Sequence, residues 1–449
     1  MTKHQNTLLW KMSKGHDRRL REGHPWVFSN ELANSPKGVP PGGMVTLIDV
    51  RGQFLAHGYG NPNSLICARV MSRRVEDSDW NTHEFLVNKV IAAWKRRFLI
   101  GFNHSFRLVF SESDLLPGLI IDRYEIESKA ATKCQVLVAQ MTTAGMDTAL
   151  RPFEDFFKAL VERAFEMQLS SYDWNQTAIV IRNDASVREM EGLKVEPPQE
   201  IKSVEGFDLE NATILVGREQ PAHLQTDLVS GQKTGFFLDQ TRNILEVAKI
   251  INESRGYSHK VNSEKPRFEM LDLCCYVGHW SSQMALKLGH NNYSGVKLNL
   301  VDVSETALKR AFLNAEKNLA GRTGDNSFKY FKMDVFEGEL PFPAKSQDLV
   351  VADPPALIKS RKVIEQGRHG YVKINSRAAA LVKSGGYLVT CSCSGLLPEE
   401  EFSEAILKGF RKAGRSGVLL YRGGHNMDHP QRPEFPEGTY LKMHLYQLD

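Results

Sequence analysis

Two cysteines one residue apart, Cys391 and Cys393, follow the apolar run from Tyr387 to Thr390. Two glycines precede this run, and a Ser-Cys-Ser-Gly turn and a Pro-Glu-Glu helix start follow it, which predicts a buried strand that ends near the thiols. In open α/β sheets the carboxyl ends of the strands form the ligand-binding edge. A thiol at this edge is a candidate nucleophile.

Three acids follow other strand-like runs in the same part of the chain: Asp302 in "LVDVSETAL", Asp334 in "KMDVFEG" and Asp353 in "VADPPAL". An acid at the end of a second strand can accept both hydroxyl groups of a ribose. Asp334 is then placed to recognise an adenine amino group. A single Asp at a strand end is more often a helix cap, but several in register predict a crevice for a nucleoside cofactor.

The first strand of this series runs into the turn "MLDLCCYVGHW", which contains Tyr276 and a single glycine, Gly278. A pyrophosphate-binding turn has three glycines in G-x-G-x-x-G. S-adenosyl-L-methionine has no phosphate, and the arrangement resembles class I methyltransferases that bind it. Upstream, "SGQKTGFFLDQ" lacks the order of a P-loop. We expect Phe236 and Phe237 to line the cofactor or base pocket, with core packing an equal alternative for one of them.

These positions suit methyl transfer to carbon 5 of a pyrimidine. Carbon 5 is a weak nucleophile, and a thiolate that adds to carbon 6 activates it. Cys393 is the predicted nucleophile, because Cys391 is expected to lie within the strand. Asp353, fixed by two prolines, would hydrogen-bond the cytosine edge near N3 and the amino group. A base must leave any stack to reach such a crevice, which favours single-stranded or loop RNA.

The length of 449 residues predicts about three domains. Only six cysteines are present, none in a Cys-x-x-Cys pair, which argues against a disulfide framework or a zinc site. No secretory signal or apolar run of about 18 residues is found, so the expected location is the cytoplasm and no membrane partner is predicted. The 14 histidines form no ligand-spaced cluster with acids or cysteines, and no metal is expected.

Residues 1–75 are strongly basic, with 11 Lys and Arg against four Asp and Glu, a net charge of +7 in a chain of +4. Short apolar runs between turn signals predict a small β barrel. A basic module on an acidic body is typical of RNA binding, although a solvated basic face is the alternative. Candidate RNA-binding residues are Lys14, Arg18, Arg19, Arg21 and Trp26. In a small barrel, Trp26 and Phe28 are also candidates for the core.

Residues 80–200 alternate helical and strand-like runs and predict an α+β domain with a positioning role. From residue 205 onward, strands alternate with helices, as in a doubly wound parallel sheet. The predicted fold class is therefore α/β, with a Rossmann-like methyltransferase domain of mostly parallel strands after a small β barrel and a central α+β domain. The predicted domains are 1–78, 79–204 and 205–449.

The chain resembles the bacterial PUA-domain 23S ribosomal RNA cytosine-5 methyltransferases almost from end to end. The motifs that carry the resemblance are "KGHDRRLREGHPWVFSNEL", "SESDLLPGLIIDRY", "GQKTGFFLDQ", "DLCCYVGHW", "VDVSETAL", "DVF", "DPPAL", "CSCSGLL", "DHP" and "FPEGTYLK". The resemblance implies a PUA domain in the N-terminal barrel and large-subunit ribosomal RNA as substrate. It implies S-adenosyl-L-methionine near Phe237, Tyr276, Gly278, Asp302 and Asp334, with Cys393 as nucleophile and Asp353 as its partner.

Two other functions remain open from the sequence. Asp-Pro-Pro also suits methylation of a ring or exocyclic nitrogen, so a guanine-N methyltransferase of the same fold is an alternative that needs no thiol. A non-catalytic RNA-binding factor in ribosome assembly is the second. The sequence does not distinguish naked RNA from a partly assembled subunit as the substrate, nor a monomer from a homodimer.

Overall fold

A computed structural model describes residues 7–259, 266–288, 293–320 and 324–449. The chain forms two compact units, each made of discontinuous segments. The first contains Met1–Arg218, Asp227–Phe236 and Met427–Gly438, and the second contains Glu219–Thr226, Phe237–Asn426 and Thr439–Asp449. The three predicted domains remain a proposal, in which the first two lie in one unit.

The N-terminal part of the first unit is a five-stranded sheet of order β1-β3-β4-β5-β2. Its interior is apolar, with Val45, Leu47, Ala56 and Cys67 fully buried, and this agrees with the predicted small barrel. The elements are β1 (Leu8–Lys11), α1 (Arg18–Arg21), β2 (Trp26–Phe28), β3 (Gly43–Ile48), β4 (Phe54–Gly60) and β5 (Ile66–Ser72).

The rest of the first unit contains helices packed on a mixed sheet, in which strands pair in the order β10-β9-β8-β7-β11 and β6 pairs with β7. The helices are α2 (His83–Leu99), α3 (Ala144–Ala149) and α4 (Phe153–Glu166). The strands are β6 (Phe106–Phe110), β7 (Leu119–Glu127), β8 (Lys133–Met141), β9 (Thr177–Ile181), β10 (Gln199–Lys202) and β11 (Ala212–Val216). The sequence predicts helices at 82–98 and 150–167 and strands at 106–110, 119–123, 135–141 and 178–182, which correspond to α2, α4 and β6 to β9.

The barrel and the α+β part share buried contacts. Tyr59 of β4 donates a hydrogen bond of 2.7 Å to the Pro117 carbonyl, and its ring lies against Gly145, where a Cβ would come within 2.2 Å of the ring. Asn61 and Arg69 both bond the Glu191 carboxylate, at 2.9 and 2.8 Å. These buried polar contacts fix the barrel on its neighbour within the first unit.

The second unit is built around a seven-stranded sheet of order β15-β14-β13-β16-β17-β19-β18. Its strands are β13 (Arg267–Leu273), β14 (Gly295–Asp302), β15 (Ser327–Lys332), β16 (Gln347–Ala352), β17 (Val382–Ser392), β18 (Gly417–Gly423) and β19 (Lys442–Leu448), after the short strand β12 (Ala222–Thr226). The first five sheet strands are parallel, as predicted. Strand β19 pairs antiparallel with both β17 and β18.

The helices that the described residues form between these strands are α5 (Thr241–His259), α6 (His279–Lys287), α7 (Glu305–Leu319), α8 (Ile364–Leu381) and α9 (Glu399–Lys412). Strands such as β16 are buried along their whole length, which explains why they appear in the sequence as continuous apolar runs rather than alternating ones. Ser304 caps α7 by accepting a bond from the Ala307 N–H. The parallel strands therefore end at one edge, where the predicted acids lie.

No helix in the described part of the chain is long and apolar enough to cross a membrane.

Candidate active site

The turn after β13 is tightly curled. Three of its residues have positive φ angles, namely Cys274 at 63°, Tyr276 at 50° and Gly278 at 78°. Only glycine adopts this conformation at little cost, and a Cβ at Gly278 would also approach the Ala311 Cβ of α7 to 3.0 Å. The turn thus packs closely on α7, and Asn314 of that helix donates a bond of 2.8 Å to the Val277 carbonyl.

Asp302 at the end of β14 holds this turn. One carboxylate oxygen accepts the Tyr276 N–H at 2.9 Å, and the other accepts the Ser304 N–H at 2.9 Å. A carboxylate has about four lone-pair sites, so acceptor capacity remains for the two hydroxyl groups of a ribose. The Tyr276 and Phe237 rings form a T-shaped pair, with centroids 5.3 Å apart. The structure therefore brings together Phe237, Tyr276 and Asp302.

Cys274 lies where the strand-end carboxylates converge. Burial raises the pKa of its thiol well above the ordinary value, and the carboxylates of Asp302, Asp353, Asp272 and Asp334 raise it further. Asp334 itself is exposed and accepts the Phe336 N–H at 2.8 Å. Because the negative charge of the four carboxylates disfavours the thiolate, this thiol stays protonated at neutral pH. The three predicted acids, Asp302, Asp334 and Asp353, thus all lie close enough to Cys274 to affect its thiol.

Asp272 and His279 are buried polar residues on either side of the turn. Burial raises the pKa of Asp272 to about 7, and the nearby Asp353 and Asp302 carboxylates contribute to the rise. One of its carboxyl oxygens accepts hydrogen bonds from the N–H and the hydroxyl of Ser281 in α6. Burial lowers the pKa of His279 to about 3, so this imidazole is neutral. His279 therefore adds no positive charge to the site.

Asp353 follows β16 and is held by two side chains of other elements. Gln240 Nε2 and Trp280 Nε1 donate to the same carboxylate oxygen, at 2.9 and 3.0 Å. Gln240 is itself fixed by Asn243, whose amide donates to the Gln240 carbonyl oxygen at 2.7 Å. Because hydrogen bonds to a carboxylate are charge-assisted and strong, they orient Asp353.

The two cysteines at the end of β17, Cys391 and Cys393, lie in different environments. Cys391 is fully buried within β17 and pairs with Met443 of β19, and burial raises the pKa of its thiol well above the ordinary value. Cys393 follows the last strand residue and is partly exposed. Its thiol donates to the Pro354 carbonyl oxygen at 3.9 Å. The structure therefore brings Cys393 next to the Asp353-Pro354-Pro355 segment, as the sequence predicted.

Phe236 differs from its neighbour Phe237, because its side chain is only 1% exposed. Phe237 is partly exposed, so it is the ring of this pair that can line an open crevice. Of the two alternatives given for this pair, core packing applies to Phe236. Sequence reasoning did not assign Gln240, Trp280 or Cys274, although the aromatic position in "VGHW" and the unusual "CC" pair are visible signals.

The candidate RNA-binding residues lie in the first unit. Lys14, Arg18 and Arg21 are exposed, and each arginine has an acidic partner: Arg18 pairs with Glu22 at 2.8 Å, and Arg21 with Asp17 and Asp49, both at 2.7 Å. Arg19 lies over the Phe28 ring, 5.0 Å from its centroid. The Trp26 indole donates to Glu112 at 2.7 Å and its ring packs on Phe435.

Residues 11–73 match the model of a PUA-like domain, which identifies the N-terminal barrel. Over almost the whole chain, a protein of Photobacterium profundum named ribosomal RNA large subunit methyltransferase I is 30% identical, covering 96% of each chain. A protein of the same name from Pseudoalteromonas translucida is 31% identical, covering 96% of this chain and 97% of its own. The chain belongs to the ribosomal RNA large subunit methyltransferase I family.

Two solved structures share the fold of this chain over almost its whole length. One is described as a candidate SAM-dependent methyltransferase from Streptococcus mutans; it covers 98% of this chain and 100% of its own, with a TM-score of 0.66 and 14% identity. The other, a candidate methyltransferase in complex with SAH, has a TM-score of 0.67 at 14% identity. The predicted fold class is thus confirmed. The predicted cofactor, S-adenosyl-L-methionine, agrees with these findings and with the acceptor groups around Asp302.

Among the described residues, no group of three or more His, Cys, Asp and Glu side chains is placed to hold a metal ion.

Proposed function

We propose that this protein transfers a methyl group from S-adenosyl-L-methionine to carbon 5 of a cytosine in large-subunit ribosomal RNA, with Cys393 as the nucleophile. One observation carries the proposal: the Cys393 thiol lies 3.9 Å from the carbonyl oxygen of Pro354. Pro354 directly follows Asp353, whose carboxylate is held by Gln240 and Trp280. The family supports the RNA substrate, since its members are named for the large-subunit ribosomal RNA.

The residues fit the cofactor. Asp302 has acceptor capacity for the ribose hydroxyls, exposed Asp334 can accept an adenine amino group, and Phe237 and Tyr276 offer ring surfaces beside the turn. The small Gly278 keeps the turn close to α7. When bound, S-adenosyl-L-methionine supplies an electrophilic methyl group.

The protein's own residues account for activation of the base. The Cys393 thiolate would add to carbon 6 of the cytosine, which makes the electron pair of the carbon 5–carbon 6 double bond available at carbon 5 for the methyl group. Asp353 would hydrogen-bond the cytosine edge while charge develops on the ring. When the methylated carbon 5 loses its proton to a base, the double bond re-forms and the thiolate leaves.

The test is methyl transfer to undermodified large-subunit ribosomal RNA, followed by digestion to nucleosides and mass spectrometry against standards. The wild type should form 5-methylcytidine, Cys393→Ala should lose at least about 1000-fold in rate because covalent activation is lost, and Cys391→Ala should retain activity. Cys391 is the matched control, since it is a thiol two residues away that is buried in the sheet, where its side chain interacts with Gln240 and Asp353. A methylated guanosine, or full activity of Cys393→Ala, would refute the cytosine-5 mechanism in favour of transfer to a nitrogen.

A further inference from the structure

Lys442 is a buried lysine at the base of the Cys393 turn. It is the first residue of β19, where it lies opposite Ser392 of β17 in the antiparallel register. The residue is only 8% exposed. A lysine is seldom so deeply buried unless its charge is compensated. The groups that compensate the charge of Lys442 therefore indicate its role.

The Lys442 ammonium donates to two backbone carbonyls, those of Ser394 at 3.1 Å and Tyr440 at 3.0 Å. Ser394 directly follows Cys393, so the bond fixes the chain on the carboxyl side of the thiol. The turn is held from the other side by Ser392, whose hydroxyl donates to Tyr371 at 2.9 Å. Lys442 thus contributes a positive charge and a fixed geometry at the turn that carries the thiol.

The charged and titratable groups around this turn come from several elements. Burial lowers the pKa of Lys442, and the nearby Glu399 of α9 and the Cys393 thiol oppose that effect. Tyr371 of α8 and Cys391 of β17 also interact with Cys393. Glu399 is engaged by the neighbouring His444. Asp353 precedes Pro354, whose carbonyl accepts the Cys393 thiol. Of these groups, Lys442 is the cation, and its ammonium bonds the carbonyl of the residue that follows Cys393.

We propose that Lys442 is a positioning residue for the reaction, which holds the Cys393 turn and stabilises the Cys393 thiolate by its buried positive charge. A cation beside a thiol favours the ionised form, which is the nucleophilic one. This inference rests on the proposed role of Cys393. It assigns a role in forming the thiolate to β19, which pairs antiparallel with β17 and begins with Lys442.

The test measures the Cys393 thiolate directly, by the rate of iodoacetamide alkylation against pH, resolved for the peptide that contains Cys393 by mass spectrometry. In the wild type, the midpoint for Cys393 should lie below about 8.5, the ordinary thiol value. Lys442→Met should slow alkylation at pH 7 about tenfold, which corresponds to a rise of about one pH unit in the midpoint, and Lys442→Arg should restore most of the rate. The control is Lys408→Met, which removes an exposed lysine of α9.

A Cys393 midpoint at or above 8.5 in the wild type would overturn the proposal, and so would an unchanged profile in Lys442→Met. If the methionine variant fails to fold, a wild-type midpoint at or above 8.5 still refutes the proposal, and a Lys442→Arg midpoint well above that of the wild type refutes it as well. Because alkylation needs neither RNA nor cofactor, its result is independent of the product analysis above. If 5-methylcytidine is formed and the thiol profile does not depend on Lys442, the proposed function stands and the role of Lys442 is refuted.

Discussion

Replacement of Asp302 by alanine should weaken the binding of S-adenosyl-L-methionine strongly. The carboxylate accepts the Tyr276 and Ser304 N–H groups, both at 2.9 Å, and is proposed to accept the ribose hydroxyls. A hydrogen bond to a charged group contributes about 1.5–3 kcal/mol. If water replaces part of two such bonds, a net loss of about 2–4 kcal/mol remains, which is a roughly 30- to 1000-fold rise in Kd.

The assay is isothermal titration calorimetry of the full-length protein with S-adenosyl-L-methionine. Asp302→Asn retains one carbonyl oxygen as an acceptor, so its affinity should fall between those of the wild type and Asp302→Ala. The matched control is Glu305→Ala, which removes the same charge three residues later; Glu305 is half exposed and pairs with Lys309 and Lys332, so a change below about twofold is expected. An Asp302→Ala affinity within threefold of the wild type would refute the ribose assignment.

Three further predictions concern the orientation of Asp353, the titration of Asp272 and the basic surface. Gln240→Ala removes a hydrogen-bond donor to Asp353, and kcat/KM for methyl transfer should fall about 10- to 100-fold while calorimetry shows an unchanged cofactor affinity; equal rates would contradict the orienting role. Asp272 has a pKa of about 7 in the folded state and about 3.9 in the unfolded state. As the pH rises, the unfolded state therefore loses this proton first, and the free energy of unfolding should decrease from pH 4 to pH 7. Urea titrations should show a flatter pH dependence for Asp272→Asn, and parallel curves would argue against a raised pKa. Each phosphate contact contributes about 0.7 to the salt slope for single-stranded RNA, so the slope should decrease by about 2 in a variant with alanine at three exposed positions, Lys14, Arg18 and Arg21; an unchanged slope would exclude them from RNA contact.

The carboxyl edge of the sheet could be predicted from the sequence because its strands are buried and parallel. A strand such as β16 is then a continuous apolar run, and the polar residue that follows it marks its end. This reasoning located Asp302, Asp353 and Cys393 without knowledge of the contacts. It depends only on the order of elements along the chain, which the sequence carries directly.

Contacts between distant segments could not be predicted in this way. The "DHP" motif entered only as part of a family resemblance, yet Asp428 accepts the Arg107 N–H at 2.8 Å and its carbonyl accepts Arg97 at 2.7 Å. These bonds join residues more than 300 positions apart within the first unit. No periodicity or turn signal near residue 428 indicates that the chain returns there after the methyltransferase sheet has almost been completed.

The choice between the two cysteines shows where sequence reasoning needs the structure. Side chains in a strand alternate with a period of two, so Cys391 and Cys393 would share a face if β17 continued through both. The strand ends at Ser392, whose partner in the sheet is Lys442. Cys391 therefore remains between paired strands, while Cys393 lies on the turn beyond the sheet, next to Pro354. The position of the strand end, set in part by pairing with β19, is what makes one thiol accessible and leaves the other in the core.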